Sequence, residues 1–96
     1  TEGTPVALLE AAALRTPIIA SSVGGMPELI TNEKDGLLIP PGDMVALANG
    51  ILRLVYDKDL AGLLTENAYW KVVKEFTLDA QAYSTIRSYK KAYFYP

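Results

Sequence analysis

The sequence of 96 residues contains no cysteine and no histidine. Without cysteine, the chain cannot form disulfides, thiolate nucleophiles or Cys-ligated zinc sites, which fits a reducing compartment and leads us to expect a cytoplasmic protein. Without histidine, Ser-His-Asp and Cys-His catalytic arrangements and His-ligated metal sites are excluded as well. Any chemistry must therefore rest on carboxylates, Lys or Arg, hydroxyl groups and backbone dipoles.

An excess of charge and long apolar runs are also missing. The net charge is only -2, so the chain lacks the electrostatic footprint of a nucleic-acid-binding protein, and we expect no nucleic-acid partner. The apolar runs are too short to span a bilayer, and the first residues lack the pattern of a signal peptide. Lys71 and Lys74 belong to a weakly basic group that also includes Arg87, Lys90 and Lys91. A solvated face is the preferred interpretation of this group, and membrane association is an unsupported alternative.

What is present is a regular alternation of helical and strand patterns. Good helix formers predict a helix over 5–14, and a short apolar run predicts a buried parallel strand over 16–21. A glycine hinge at Val23–Gly25 leads into a short helical turn that ends at Ile30. The two glycines permit either a tight turn or the close approach of a ligand, and the sequence does not decide between these. A second strand is predicted at Leu37–Ile39.

The remaining sequence predicts three helices. Asp43 is a candidate N-cap for a helix that reaches Tyr56, with an apolar stripe formed by Val45, Ala48, Leu52 and Val55. Another helix is predicted over 59–74. A last one is predicted from Thr77 through Tyr93, because apolar residues recur there near the helical period.

The predicted order α-β-α-β-α-α-α indicates an α/β fold: a partial Rossmann-like, doubly wound parallel sheet followed by C-terminal helices. Residues 1–96 supply one domain's worth of material at most. Two strands form an incomplete sheet with open edges, and the sequence begins at Thr1 inside its first motif. We therefore expect a preceding half-domain, or another chain such as a second copy, to complete the sheet.

The start of the first helix is the strongest candidate for a ligand site. Gly3 and Thr4 have the pattern of a loop and N-cap, Pro5 suits the first helical position, and Glu2 lies just before the helix. Glu10 is the one charged residue between Pro5 and Leu14, and a carboxylate within so apolar a helix needs a polar partner. A polar ligand is one candidate for that partner, and Arg15 or another cation is the alternative.

An ordered series of motifs covers nearly the whole chain. It consists of Glu2-x7-Glu10-Ala11, Pro17–Ser21, Val23–Glu28, Asp35–Asp43, Ala46–Ala48, Asn67-Ala68 and Phe76. In this series the sequence resembles the C-terminal, nucleotide-sugar-binding domain of retaining glycosyltransferases with the two-domain GT-B fold, specifically those of the family 4 type with the Glu-x7-Glu motif.

The resemblance implies a role for each residue of the first motif. Glu2 would contact the donor sugar beside the reacting carbon as the catalytic residue, and Glu10 would accept hydrogen bonds from the ribose hydroxyls. The backbone N–H groups of Gly3, Thr4, Val6 and Ala7 would face the sugar or the diphosphate, where the helix dipole stabilises negative charge. The donor would be a nucleotide diphosphate sugar, and the resemblance implies no further cofactor and no catalytic metal.

The resemblance also implies machinery that these residues do not contain, namely an Arg and Lys pair on the diphosphate and an N-terminal acceptor domain. We therefore expect a hexosyltransferase as part of a longer protein, and no turnover by this chain on its own. The alternatives are a noncatalytic nucleotide-sugar-binding module and a structural half-domain that acts through a partner chain. Asp57-Lys58-Asp59 mimics a metal-binding Asp-x-Asp motif, but a capped loop between two helices is the preferred interpretation.

Overall fold

The computed structural model describes residues 6–75 and the backbone of residues 93–95, and this part of the chain has an α/β architecture. The helices are α1 Val6–Ala13, α2 Met26–Leu29, α3 Met44–Tyr56 and α4 Lys58–Glu75, and the strands are β1 Ile18–Ser21, β2 Leu37–Ile39 and β3 Tyr93–Tyr95. Up to Glu75, the order of elements is the predicted one. Within the described residues, no helix is both long and apolar enough to cross a membrane.

The strands form a parallel sheet in the order β2-β1-β3. Ile19 pairs with Leu37 on one side of β1, and Ile18 pairs with Tyr93 on the other. The predicted continuation of the last helix through Tyr93 is therefore wrong at Tyr93–Tyr95. The open edge of β1 has unpaired backbone N–H and C=O groups, which need hydrogen-bond partners. Pairing with these groups outweighs the local helical pattern of the sequence. The rest of that predicted helix, residues 77–92, lies outside the described residues.

Helices cover both faces of the sheet because successive side chains of β1 point in opposite directions. Ile18 and Ala20 pack against α1, α2 and the C-terminal half of α4. Ile19 lies on the other face, in a cluster with residues of β2, α3 and the N-terminal half of α4. All residues of β1 are buried, as expected for a strand between two helical layers. This arrangement confirms the predicted doubly wound fold class.

Helix α4 connects the two layers. Its residues Leu60 and Leu64 belong to the layer around Ile19, whereas Ala68 and Val72 belong to the layer around Ile18. At about 100° per residue, each step of four residues advances roughly 40° around the helix axis. A stripe with this spacing therefore winds around α4 and reaches both faces of the sheet.

Helix α3 packs through a different face from the predicted one. Val45, Ala48, Leu52 and Val55 are exposed, and the face toward the sheet consists of Ala46, Leu47, Gly50 and Leu54. Both sets have helical spacing, so periodicity could not distinguish them. Ala46 and Gly50 are small and let α3 approach the sheet closely, which explains why this face of the helix packs inward. The predicted N-cap is confirmed, since the Asp43 carboxylate accepts a hydrogen bond from the Ala46 N–H at 2.9 Å.

Surface ion pairs hold the helices to their neighbours. Arg15 has left-handed backbone geometry with φ of 54° at the end of α1, and its guanidinium donates to Glu66 and stacks on the Tyr69 ring of α4. Arg53 donates two hydrogen bonds to the Glu33 carboxylate and thereby lowers the pKa of Glu33. Exposed pairs of this kind contribute little stability each, but they fix the positions of the loops between elements.

Gly36 precedes β2 at a point where β1 and β2 approach closely. A β-carbon at this position would lie 3.0 Å from Ile30 Cγ2 and 3.2 Å from the Ile18 carbonyl oxygen. The second neighbour is backbone of β1 and cannot rotate away. We therefore expect Gly36→Ala to lower the free energy of unfolding by about 1–3 kcal/mol, measured by urea denaturation.

Gly62→Ala is the matched control for this substitution. Gly62 lies within α4, and nothing comes within 4 Å of a β-carbon placed there. Alanine is the better helix former, so this change should raise stability by about 0.5–1 kcal/mol. Equal effects of the two substitutions would contradict the close approach at Gly36.

Candidate functional site

The N-terminus of α1 and the carboxyl ends of β1 and β2 lie at the same edge of the sheet. The turn after α1 reverses the chain, with the Thr16 N–H bonded to the Ala11 carbonyl, and α1 then packs alongside β1. The eight residues of α1 span about 12 Å, and the four residues of β1 span about 13 Å. From these similar lengths we infer that Val6 lies level with the end of β1. In open α/β sheets this edge is where ligands bind.

The described part of the predicted site consists of Val6, Ala7 and Glu10. Val6 is 66% exposed, whereas Ala7 and Glu10 are half-buried. Glu10 lies about one helical turn from the start of α1. The other candidates, Glu2, Gly3 and Thr4, lie outside the described residues. The placement of α1 gives its first N–H groups access to the carboxyl edge, and the geometry around Glu2 stays a prediction.

Arg15 is not the partner of Glu10. Its Nε donates to Glu66 Oε1, and its guanidinium lies 3.7 Å from the centre of the Tyr69 ring. The left-handed conformation of Arg15 directs the chain into β1. The alternative in which Arg15 pairs with Glu10 is therefore not what the structure shows, because Arg15 pairs with Glu66.

The glycine hinge follows β1 at the same edge. Gly24 has φ of 53°, and Gly25 precedes α2 with φ of -80°. The positive φ at Gly24 shows that the tight turn needs glycine at this position. No atom lies within 4 Å of a β-carbon built at either glycine, so the hinge borders open space. The other alternative, the close approach of a ligand at this hinge, stays a prediction.

Asp57 caps α4, since its carboxylate accepts a hydrogen bond from the Leu60 N–H at 3.0 Å. Asp57 is the residue between α3 and α4, and Lys58 and Asp59 are the first two residues of α4. The predicted capped loop is therefore confirmed.

A buried charged cluster was not predicted from the sequence. Asp35 is 7% exposed, and its carboxylate accepts hydrogen bonds from the Thr31 N–H at 2.8 Å and from Lys71 Nζ at 3.1 Å. Lys71 also donates to the Leu29 carbonyl. Lys71 thus does not belong to a solvated basic face. The partners are far apart in sequence, and the available signal was the placement of an acid at the end of a polar loop, directly before Gly36 and the apolar strand β2.

Comparisons with known proteins agree on one family. The sequence profile of the glycosyl transferases group 1 matches residues 1–71. The amylovoran biosynthesis glycosyltransferase AmsK of Erwinia amylovora is 51% identical over 53 residues, which cover 55% of this chain and 13% of that protein. An uncharacterized glycosyltransferase of Methanocaldococcus jannaschii is 33% identical over 87 residues, covering 91% of this chain and 22% of that protein.

A third relative has a more specific name. The UDP-Gal:alpha-D-GlcNAc-diphosphoundecaprenol alpha-1,3-galactosyltransferase of Escherichia coli is 36% identical over 77 residues, covering 80% of this chain and 20% of that protein. The chain therefore spans between 13% and 22% of the length of these three relatives.

Proposed function

We propose, from the premise that this chain belongs to the glycosyl transferases group 1 family, that it forms part of the nucleotide-diphosphate-sugar site of a retaining glycosyltransferase. The observation that carries the proposal is the position of α1, whose N-terminus faces the carboxyl edge of the parallel sheet with Glu10 about one turn inside. The acceptor would be held by a domain outside these residues. The relatives, which are several times longer than this chain, leave room for such a domain.

The proposed chemistry places each group where charge changes during transfer. The bond between the anomeric carbon and the diphosphate oxygen breaks, and the nucleoside diphosphate leaves with additional negative charge. The N–H groups of Gly3, Thr4, Val6 and Ala7 would stabilise that charge, because N–H groups at a helix N-terminus have no intrahelical acceptor and are preorganised for an anion. Glu2 would hold the sugar hydroxyls, and Glu10 would accept hydrogen bonds from the ribose.

The names of the relatives support a hexose donor and a first choice of nucleotide. One relative is named for UDP-galactose, and another is named N-acetyl-alpha-D-glucosaminyl L-malate synthase. We therefore propose hexosyl transfer, with UDP as the first nucleotide to test. On this proposal the chain contributes donor binding, and turnover requires the rest of the enzyme.

Two-dimensional amide NMR of the 96-residue chain with UDP, GDP and ADP tests this proposal. We expect saturable shifts at Gly3, Thr4, Val6, Ala7 and Glu10, with the base that binds most tightly identified by the lowest Kd. The ribose contact predicts that 2′,3′-dideoxy-UDP binds about 10- to 150-fold more weakly than UDP, because hydrogen bonds to a carboxylate contribute about 1.5–3 kcal/mol.

Glu10→Gln separates the ribose contact from general electrostatic effects. This variant should bind UDP about tenfold more weakly and should lose most of its preference for UDP over dideoxy-UDP. Asp59→Asn removes the same charge at the exposed N-terminus of α4 and should change neither value. A nucleotide preference that persists in Glu10→Gln would refute the ribose role. A folded chain that ignores every nucleotide would refute donor binding and favour a structural half-domain.

A further inference from the structure

An open groove lies on the outer side of α4, away from the candidate site at the carboxyl edge. It has a volume of about 510 Å³, and the residues that matter for its chemistry are Glu28, Lys34, Asn67, Trp70, Lys74 and Glu75. We call it the Trp70 groove. The loop over 31–36 that forms one wall leads into the amino end of β2, so the groove opens at the edge of the sheet opposite the N-terminus of α1. It is therefore separate from the proposed donor site.

Trp70 is the main apolar feature of the groove. Its side chain is 58% exposed, although burial of a large aromatic side chain is strongly favourable. The sequence contains one tryptophan, so the chain's whole indole content is at this position. An indole that stays exposed within a polar groove offers a flat apolar face to a ligand.

The indole ring is supported from behind. Tyr69 contacts Trp70 edge-to-face, with ring centres 5.2 Å apart and an interplanar angle of 88°. Tyr69 is itself covered by the Arg15 guanidinium, which Glu66 holds. This series of contacts links the ring to the C-terminus of α1. The platform is thus preorganised, which lowers the entropic cost of binding.

The charges around the indole balance. Lys34 and Lys74 contribute two positive charges, and Glu28 and Glu75 contribute two negative ones. Asp35 and Lys71, which also line the groove, form an ion pair with each other. An anionic ligand would meet carboxylates, and a cationic ligand would meet ammonium groups. A ligand that is uncharged but rich in hydrogen-bonding groups meets neither penalty and can use both donors and acceptors.

We propose that the Trp70 groove binds a neutral saccharide. One face of a pyranose ring carries C–H groups, which pack against the negative face of the indole ring, and its hydroxyl groups donate to Glu28 and Glu75 and accept from Lys34 and Lys74. Saccharide binding in the Trp70 groove is independent of donor binding at α1, so the two proposals can be tested separately.

The Nε1–H signal of the single tryptophan gives a direct test. We would titrate the 96-residue chain with maltotetraose, cellotetraose and triacetylchitotriose, and with an oligogalacturonate as the anionic comparison. We expect at least one neutral probe to shift the indole signal and the Asn67 and Lys74 amides with a saturable curve. The amides of α1 should not move with the saccharides and should report UDP alone.

Two variants on α4 make the result specific. Trp70→Ala should weaken binding of the active probe at least fivefold, as read from the Asn67 and Lys74 amides, without loss of folded structure because Trp70 is exposed. Leu63→Ala removes another exposed apolar side chain of α4 that does not line the groove, and it should leave binding unchanged. Failure of all three neutral probes, saturation by the oligogalacturonate only, or unchanged binding in Trp70→Ala would overturn the proposal.

Discussion

Replacing Leu64 by alanine is expected to lower the free energy of unfolding by about 3–5 kcal/mol. Leu64 is 1% exposed and lies where α4 meets the layer formed by Ile19, Leu37 and Ile39. Truncation removes its transfer free energy and leaves a cavity between a helix and a sheet that cannot collapse freely. Since a domain of this size has a total stability of about 5–14 kcal/mol, the loss is a large fraction of it.

The neighbouring residue provides the control for this prediction. Leu63 is 54% exposed on the same helix, and Leu63→Ala keeps the helix propensity while removing much less buried surface than Leu64→Ala. Its effect should lie within about 0.5 kcal/mol of zero. Urea denaturation followed by circular dichroism measures both variants. Similar losses for the two would mean that α4 does not pack through Leu64.

Replacing Lys71 by methionine is expected to cost about 2–4 kcal/mol. The substitution leaves the Asp35 carboxylate, which is 7% exposed, with the Thr31 N–H as its remaining described donor. It also removes the donor to the Leu29 carbonyl. We expect somewhat less than the full cost of a buried pair, because the Lys71 side chain is 26% exposed and water reaches it.

A double-mutant cycle with Asp35→Asn identifies the origin of this loss. The asparagine side chain still accepts a hydrogen bond from the Thr31 N–H but carries no charge. Lys71→Met should therefore cost about 1–3 kcal/mol less in the Asp35→Asn background than in the original chain. Additivity of the two substitutions within about 0.5 kcal/mol would show that the pair is not coupled, and that Lys71 contributes through its hydrocarbon stem.

The sequence predicts much of this fold because most of its signals are local. The apolar run before Ser21 has the length and flanks of a buried strand, and Asp43 has the position of an N-cap; both predictions are confirmed. The wrong predictions concern features that local sequence does not determine, such as which face of a helix packs on the sheet. Helix α3 has two apolar stripes with the same period, and only the sheet decides that Leu47 and Leu54 pack inward while Leu52 remains outside.

The candidate site shows the same division. The position of Glu10 on the first helix follows from its spacing within an apolar segment, and the structure places it about one turn from the start of α1. The partner of Arg15 could not be predicted, because Glu66 is reached only after α4 crosses the end of the sheet. The coupling of Asp35 to Lys71 was missed for the same reason. Contacts between distant segments depend on helix packing angles, which hydrophobic periodicity does not specify.

The pairing of β3 with β1 sets an order for the assembly of the sheet. Ile19 pairs with Leu37, whereas Ile18 pairs with Tyr93, so the second contact closes a loop about four times longer than the first. The additional chain entropy amounts to roughly 1.3 kcal/mol. We therefore expect the pair β1–β2 and its helices to form before β3 joins, and β3 to detach first when the chain begins to unfold. During synthesis, the N-terminal segments emerge and associate while this edge of β1 still lacks its partner.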